Sequence, residues 1–366
     1  MKRLLAILLA VVLIFGLVAC AAPSPTPAPP APPPATGTDP TPEPTDGPPE
    51  PPPGSPRIVR LGHVSPTHSA RHLATVAMAE YVMNALPGWY DIEVFSAGML
   101  GTSLEMIQGL QTGSMEMTTQ GAGMFGGFEP AVGAVEVPGL WPGERAQVRQ
   151  LIQEAFIPYM ADVMAPVGMK VFDYWFEEFV TLGTTVPIRE LADFDGVRIR
   201  TMASPTQLAI AERLGFTALP MDAGEIYQGI LTGVVDGTHN GHTMIFANMI
   251  HEVINYITNS NHVLAGVYTV VSLEWWESMS PMEHEVWFSA REVARAVFEE
   301  AILLEIGDAL VAFAEHNVEV IDLDPAERAL WMETLAPVAD LYIDMNPALH
   351  QAIIDHIRAE SARLFG

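Results

Sequence analysis

The sequence predicts an α/β protein of two lobes joined by one very long helix. Three observations predict it: short β-rich runs alternate with capped helical segments, the alternation begins anew near residue 170, and a capped apolar periodicity of some thirty residues follows Ser280. Strands alternating with helices of this length build βαβ units and a mainly parallel sheet.

Ile58-Val59-Arg60-Leu61-Gly62 reads as the first strand, Ala74 to Leu86 as a helix and Tyr90 to Phe95 as the second strand. Thr102-x-x-Glu105 is a capping box whose helix stops at Gly113, and Ser114 to Thr118 is expected to be the third strand. The second round opens with a strand from Lys170 to Trp175 and another from Gly196 to Thr201. Ser204-Pro205-Thr206-Gln207 follows, with Ser204 as N-cap, Pro205 at the first helical position and Gln207 as the reciprocal cap partner. That helix runs to Leu214 and ends at Gly215, and Asp222-x-x-Glu225 caps another that runs through Ile230 and closes at Gly233. Ser280-Pro281-Met282-Glu283 opens the long helix, whose Val286, Ala290, Val293, Val297, Ala301 and Ile306 recur at helical spacing to about Phe313. Such a helix without a heptad seam is expected to lie along both lobes.

The N-terminus carries a different signal. Lys2 and Arg3 precede an apolar run from Leu4 to Val18, then Ala19-Cys20-Ala21-Ala22, so residues 1–19 read as a signal peptide. The run is shorter than the roughly 20 residues a membrane span needs. Leu17-Val18-Ala19-Cys20 resembles the lipobox of bacterial lipoproteins, which implies cleavage before Cys20 and acylation of its thiol. Cys20 is the only cysteine, so disulfides and thiolate metal clusters drop out. Residues 20–56 hold 17 of the 31 prolines and almost no large apolar side chain. That stretch reads as a tether reaching about 100 Å in polyproline II. A formal net charge of −27 argues against nucleic acid and anionic headgroups as partners. It also requires a local cation wherever an anion is captured.

Arg200 is that cation. It sits at the C-terminal end of a predicted strand just before a helix N-terminus, the edge at which open α/β sheets bind ligands. A guanidinium there can hold a carboxylate through two parallel charge-assisted bonds, or it can serve a structural ion pair; Arg198 shares its parity. Tyr174-Trp175-Phe176-Glu177-Glu178 ends a strand with aromatics and acids, so Trp175 and Glu178 are candidate ligand contacts, with core packing and solvent as the alternative. Gly121-x-Gly123-x-x-Gly126 matches a dinucleotide fingerprint only as a bare pattern, because Gly127 and Pro130 stand where a phosphate-binding helix should begin. His68-x-x-x-His72 and His239-x-x-His242 have metal spacing without the accompanying acid or thiol and read as solvated or hydrogen-bonded histidines. Neither Gly-x-Ser-x-Gly nor a phosphate-binding Walker loop occurs.

Asp195-Gly196-Val197-Arg198-Ile199-Arg200 and Pro220-x-x-x-x-Glu225-x-Tyr227-x-x-x-x-x-Gly233-Val234-Val235-Asp236-Gly237 resemble the extracytoplasmic solute-binding subunit of TRAP transporters, the DctP type. Val94-Phe95-x-Ala97-Gly98-x-Leu100-Gly101 adds weaker likeness. The resemblance implies a periplasmic-binding-protein-like fold, with lobe I in 57–177 plus 267–304 and lobe II in 178–266 plus 305–366. It implies no enzyme and no cofactor, a small organic acid as ligand, and the small and large membrane subunits of a permease as partners. It places Arg200 on the substrate carboxylate and Asn240 on a polar contact, with Gln120 and Ala223 near the pocket. Many members carry a second arginine where this chain has Glu178, Phe179 and Val180. Acids in place of that cation disfavour a second carboxylate and suit hydroxyls, an amine or a bridging cation. The expected ligand is therefore a monocarboxylate or sulfonate rather than a dicarboxylate. The chain is expected to be exported and lipid-anchored on the extracytoplasmic side, with a ligand-presenting sensory lipoprotein as the alternative role.

Overall fold

The computed structural model describes residues 51–366. The signal peptide, Cys20 and most of the tether lie outside the described residues. Among the described residues no helix is long and apolar enough to cross a membrane.

Two sheets organise the chain. The first has the order β2-β1-β3-β10-β4, from β1 (Arg57–Gly62), β2 (Tyr90–Phe95), β3 (Met117–Gly121), β4 (Met169–Phe179) and β10 (Leu264–Ser272). β1 runs parallel to β2 and β3, and β10 runs antiparallel to both β3 and β4. The second has the order β11-β9-β5-β8-β6-β7, from β5 (Thr181–Thr184), β6 (Arg198–Thr201), β7 (Thr217–Pro220), β8 (Gly237–Asn240), β9 (Tyr256–Asn259) and β11 (Glu319–Asp322). The chain crosses between the sheets from β4 to β5 and from β9 to β10, where Val180 N donates to Val263 O and Asn261 N to Val180 O.

The helices follow the capping signals. α1 (Ala70–Ala85) is capped by Ser69 and starts four residues before the Ala74 expected from the sequence. α2 (Ser103–Thr112) has the Thr102–Glu105 capping box and ends on Gly113 at φ 70°. β3 begins three residues later than expected because Met115 N closes the helix end by donating to Gly109 O, which spends 114–116 on the turn. α3 (Arg145–Leu151) runs through a π turn into α4 (Ile157–Met160). α5 (Pro205–Leu214) has Ser204 as N-cap and Gly215 at φ 93°. The Gln207 side chain does not return to the cap, however: its Oε1 accepts from Met202 N and its Nε2 donates to Glu136. α6 (Ile226–Leu231) and α7 (His242–Ala247) complete the layer around β8, and α8 (Leu273–Glu277) leads to α9 (Pro281–Glu315).

α9 is 35 residues long and opens on the Ser280–Glu283 capping box. Its Trp287, Ala290, Ala294, Phe298 and Ile302 belong to a core with α1 and the first sheet. Its Ala309 and Phe313 belong to a core with Ile245, Ile250 and Ile257 beside the second sheet. One helix therefore serves both cores, which is why its apolar face carries no coiled-coil seam. After β11, α10 (Pro325–Leu335) supplies Trp331 and Leu335 to the other core of the second sheet. α11 (Val338–Met345) turns the chain back, and the last helix, α12 (Pro347–Phe365), places Ile353, Ile354 and Ile357 in a core of the first sheet, although the sequence grouped it with the second lobe.

Candidate functional site

A cavity lies between the sheets, over the C-terminal ends of β6 and β8 and the end of β3. Arg200 is the last residue but one of β6 and is 2% exposed. Its Nε donates to Met221 O at 2.9 Å and its Nη1 to Asn240 Oδ1 at 3.0 Å. Thr238 Oγ1 donates to the same amide oxygen at 2.6 Å, which orients Asn240. Nη2 has no hydrogen-bond partner among the described residues. Burial lowers the Arg200 pKa to about 10, with Asp222 and Glu225 opposing, so the side chain stays cationic at neutral pH. A buried cation with an unspent donor at a cavity wall is built to meet an anion.

Arg198 does not share this task. It is the first residue of β6, and Asp236 receives its Nε, Nη2 and backbone N–H at 2.7–3.0 Å.

The rest of the charged lining is mostly acidic. Arg71, in the first turn of α1, donates from Nη2 to Glu177 Oε1 at 3.0 Å and keeps a buried Nε without a partner among the described residues. Glu305 comes from α9, accepts from Ala70 N at 2.8 Å, and is pushed up to about 7 chiefly by burial. Glu136 accepts from Ser204 Oγ and from Gln207 Nε2 and is likewise pushed up to about 7 by burial against the pull of those two donors. Near neutral pH both carboxyls titrate, so each offers an acceptor and, when protonated, an O–H donor.

A histidine relay runs beneath the cavity. Ser260 Oγ donates to Val180 O at 3.0 Å, so it accepts from His262 Nδ1 at 2.9 Å. His262 Nε2 then carries the lone pair and receives His239 Nε2–H at 2.9 Å. His239, which lines the cavity, is left with an Nδ1 acceptor that has no partner among the described residues. Burial holds His262 at about 3 and His239 well below the usual imidazole range, so neither contributes charge.

Of the residues singled out from sequence, Arg200, Asn240 and Ala223 come together on this cavity. The other three lie off it. Trp175 is 2% exposed in the α1–α9 core, tilted against Phe298 with ring centroids 5.2 Å apart, and its Nε1 donates to Asp173. Gln120 is fully buried and donates to Thr118 Oγ1. Glu178 turns to α7, accepting from Thr243 N and Oγ1 at 2.8 and 2.9 Å and pairing with His242 Nδ1 at 2.6 Å. Strand parity explains the exchange: its neighbour Glu177 faces the cavity instead. Val180 lines the cavity, while Phe179 packs on the core of the first sheet. His242 is a hydrogen-bonded partner of Glu178 and Asn259, and His68 is exposed.

The glycine pattern has a packing reason. A Cβ on Gly123 would lie 2.8 Å from Glu136 Oε1 and 2.9 Å from Met202, and one on Gly126 would lie 3.3 Å from Pro205. These glycines admit the start of α5 against the turn after β3. Sequence reading missed Arg71, Glu136, Glu177, Glu305 and His239 as cavity residues; Glu177 and His239 stood in stretches that had drawn notice, His239 only as a solvated or hydrogen-bonded histidine.

Two sheets joined by crossing strands, a spanning helix and an interior cleft with a charged anchor define a ligand-binding protein of the two-lobed class. Residues 61–344 match the family described as bacterial extracellular solute-binding protein, family 7, and the chain belongs to that family. It is 24% identical over 284 residues to an ectoine/5-hydroxyectoine-binding periplasmic protein of Ruegeria pomeroyi, covering 75% of this chain and 82% of that one. It is 25% identical over 292 residues to a C4-dicarboxylate-binding periplasmic protein of Rhodobacter capsulatus, covering 78% and 86%. Among solved structures it resembles a TRAP periplasmic solute-binding protein from Desulfovibrio salexigens with bound orotic acid, at a TM-score of 0.80 and 27% identity over 84% of this chain and 99% of that one. The chain is thus an extracytoplasmic solute-binding component of TRAP transport and not an enzyme.

Proposed function

We propose that this protein captures a small monocarboxylate or sulfonate that also carries hydrogen-bond donors, and delivers it to the small and large membrane subunits of a TRAP permease. The observation that carries this reading is the buried Arg200 with its unspent Nη2, among the described residues the one cation of the cavity wall not matched by an adjacent carboxylate. The acid group of the ligand meets Arg200 and Asn240. The other end meets Glu177, Glu305 and Glu136, the acceptor His239 Nδ1, and Arg71 already paired to Glu177. A second carboxylate there faces acids, a juxtaposition that costs several kcal/mol, whereas a hydroxyl or an amine finds acceptors.

The ligand reaches both sheets, so its binding favours the closed cleft by the difference in its contacts between the two states. The lipobox-like run ending at Cys20 supports a lipid anchor on the extracytoplasmic face, with the proline-rich tether as spacer. Titration calorimetry against matched mono- and dicarboxylates tests the ligand class. Saturable binding of hydroxylated or amino monocarboxylates with dicarboxylates inert is expected; tight binding of succinate or malate alone overturns it.

A further inference from the structure

Just past the end of α7, where the long helix also ends, three side chains of metal-binding type converge. His251 and Glu252 lie in the short turn Ile250–Glu252 that follows α7, and His316 is the C-cap of α9. One donor atom from each lies within 4.8 Å of the other two. The His251 and His316 rings stand edge to face with centroids 4.7 Å apart. His251 is 6% exposed, and its Nδ1 is buried without a hydrogen-bond partner among the described residues.

The tautomers suit ligation. His316 Nδ1 donates to Ala312 O at 2.9 Å, which leaves the Nε2 lone pair free. No hydrogen bond holds His251 Nδ1 among the described residues, so this nitrogen can present its lone pair. A ligating histidine whose second nitrogen donates to a backbone carbonyl is the usual outer-shell arrangement. Glu252 receives the Tyr227 hydroxyl at 3.2 Å, so one carboxylate oxygen is oriented and the other is open. Two neutral imidazoles and one carboxylate suit zinc rather than calcium or magnesium, which prefer oxygen throughout.

We propose that His251, Glu252 and His316 bind a zinc-class divalent ion that clamps the C-terminal end of the long helix to the turn behind α7. Tetrahedral zinc places its ligand atoms about 3.3 Å apart, so the set must draw in by roughly 1.5 Å at most. Glu252 and His316 are exposed and can supply that movement. The ion fills its remaining positions with water. It also fixes the segment that carries the cavity residues Thr243, Met244 and Asn248, independently of what the cavity holds.

The test is zinc titration of the tag-free full chain after chelator treatment, read by calorimetry and by the visible spectrum of the cobalt-substituted form. One site per chain is expected, weakened at least about tenfold in both His316→Ala and Glu252→Gln. Glu360→Gln, an acid on the terminal helix, should leave it unchanged, and far-UV circular dichroism checks that each variant folds. The absence of saturable binding overturns the proposal. So does equal affinity in His316→Ala and Glu252→Gln, which would mean that the acidic surface holds the ion.

Discussion

A guanidinium only 2% exposed remains cationic because its neighbours are arranged around it: Met221 O and Asn240 Oδ1 each take one N–H, and Asp222 and Glu225 offset part of the burial. Truncating it leaves the ligand's anion desolvated and unpaired. Arg200→Ala should weaken binding of the physiological acid by about 3 kcal/mol or more, with little loss of melting temperature, as calorimetry and thermal unfolding would show. Glu305 gives a second residue-scale expectation. Its folded pKa of about 7 lies above the unfolded 4.5, so folding favours the protonated form, and stability falls as pH rises through that window. Glu305→Gln should therefore unfold at nearly the same temperature as the parent at pH 4.5 and at a higher one at pH 8, by up to about 3 kcal/mol. A gain that is equal at both pH values contradicts burial of the charge as its cause. Arg200 was legible because a strand end followed by a proline-led cap marks a ligand edge in sequence. Arg71 was not, since its helix begins on Ser69 with no acid at the third position, and its partner Glu177 lies 106 residues away.

At the scale of elements, local caps spoke more clearly than strand ends. Thr102–Glu105, Asp222–Glu225 and Ser280–Glu283 all form the reciprocal boxes that their spacing implies. Ser204–Gln207 keeps only half of its box, because Met202 N–H takes the glutamine Oε1 that the cap would use while Glu136 holds its Nε2. The crossing strands β4 and β10 are buried on both faces and lack alternation, so the extent of β4 to Phe179 could not be read, nor which of Glu177 and Glu178 faces the ligand. Close strand contacts make a sharper prediction. A Cβ on Gly237 would lie 2.4 Å from Gly183 O, a backbone atom of the paired strand β5. Gly237→Ala should cost about 2–3 kcal/mol in denaturant unfolding. Stability unchanged within error would show that the β5–β8 pairing yields more easily than its geometry implies.

For the molecule as a whole, the net charge of −27 and the confinement of the unspent cation to one cleft make anion capture a local event on a repelling surface. α9 ties both cores together, and Glu136 joins the first sheet's layer to the start of α5 over the same cleft. Lipid anchoring rests on the leader alone. Cys20→Ser should move the full-length protein from the membrane fraction to the soluble one, and persistence in the membrane fraction would contradict acylation there. The leader signal is local, with charge, apolar run and cysteine contiguous in sequence, whereas the cavity could not be read, because its walls come from residues 64 to 305.

The most direct measurement takes the best-binding acid from a monocarboxylate panel and its primary amide, and titrates each into the parent protein and into Arg200→Ala. If Arg200 grips the carboxylate, the parent prefers the acid by about a hundredfold and the variant loses that preference. A preference for the acid that survives in Arg200→Ala would place the anion elsewhere and contradict the role given to this residue.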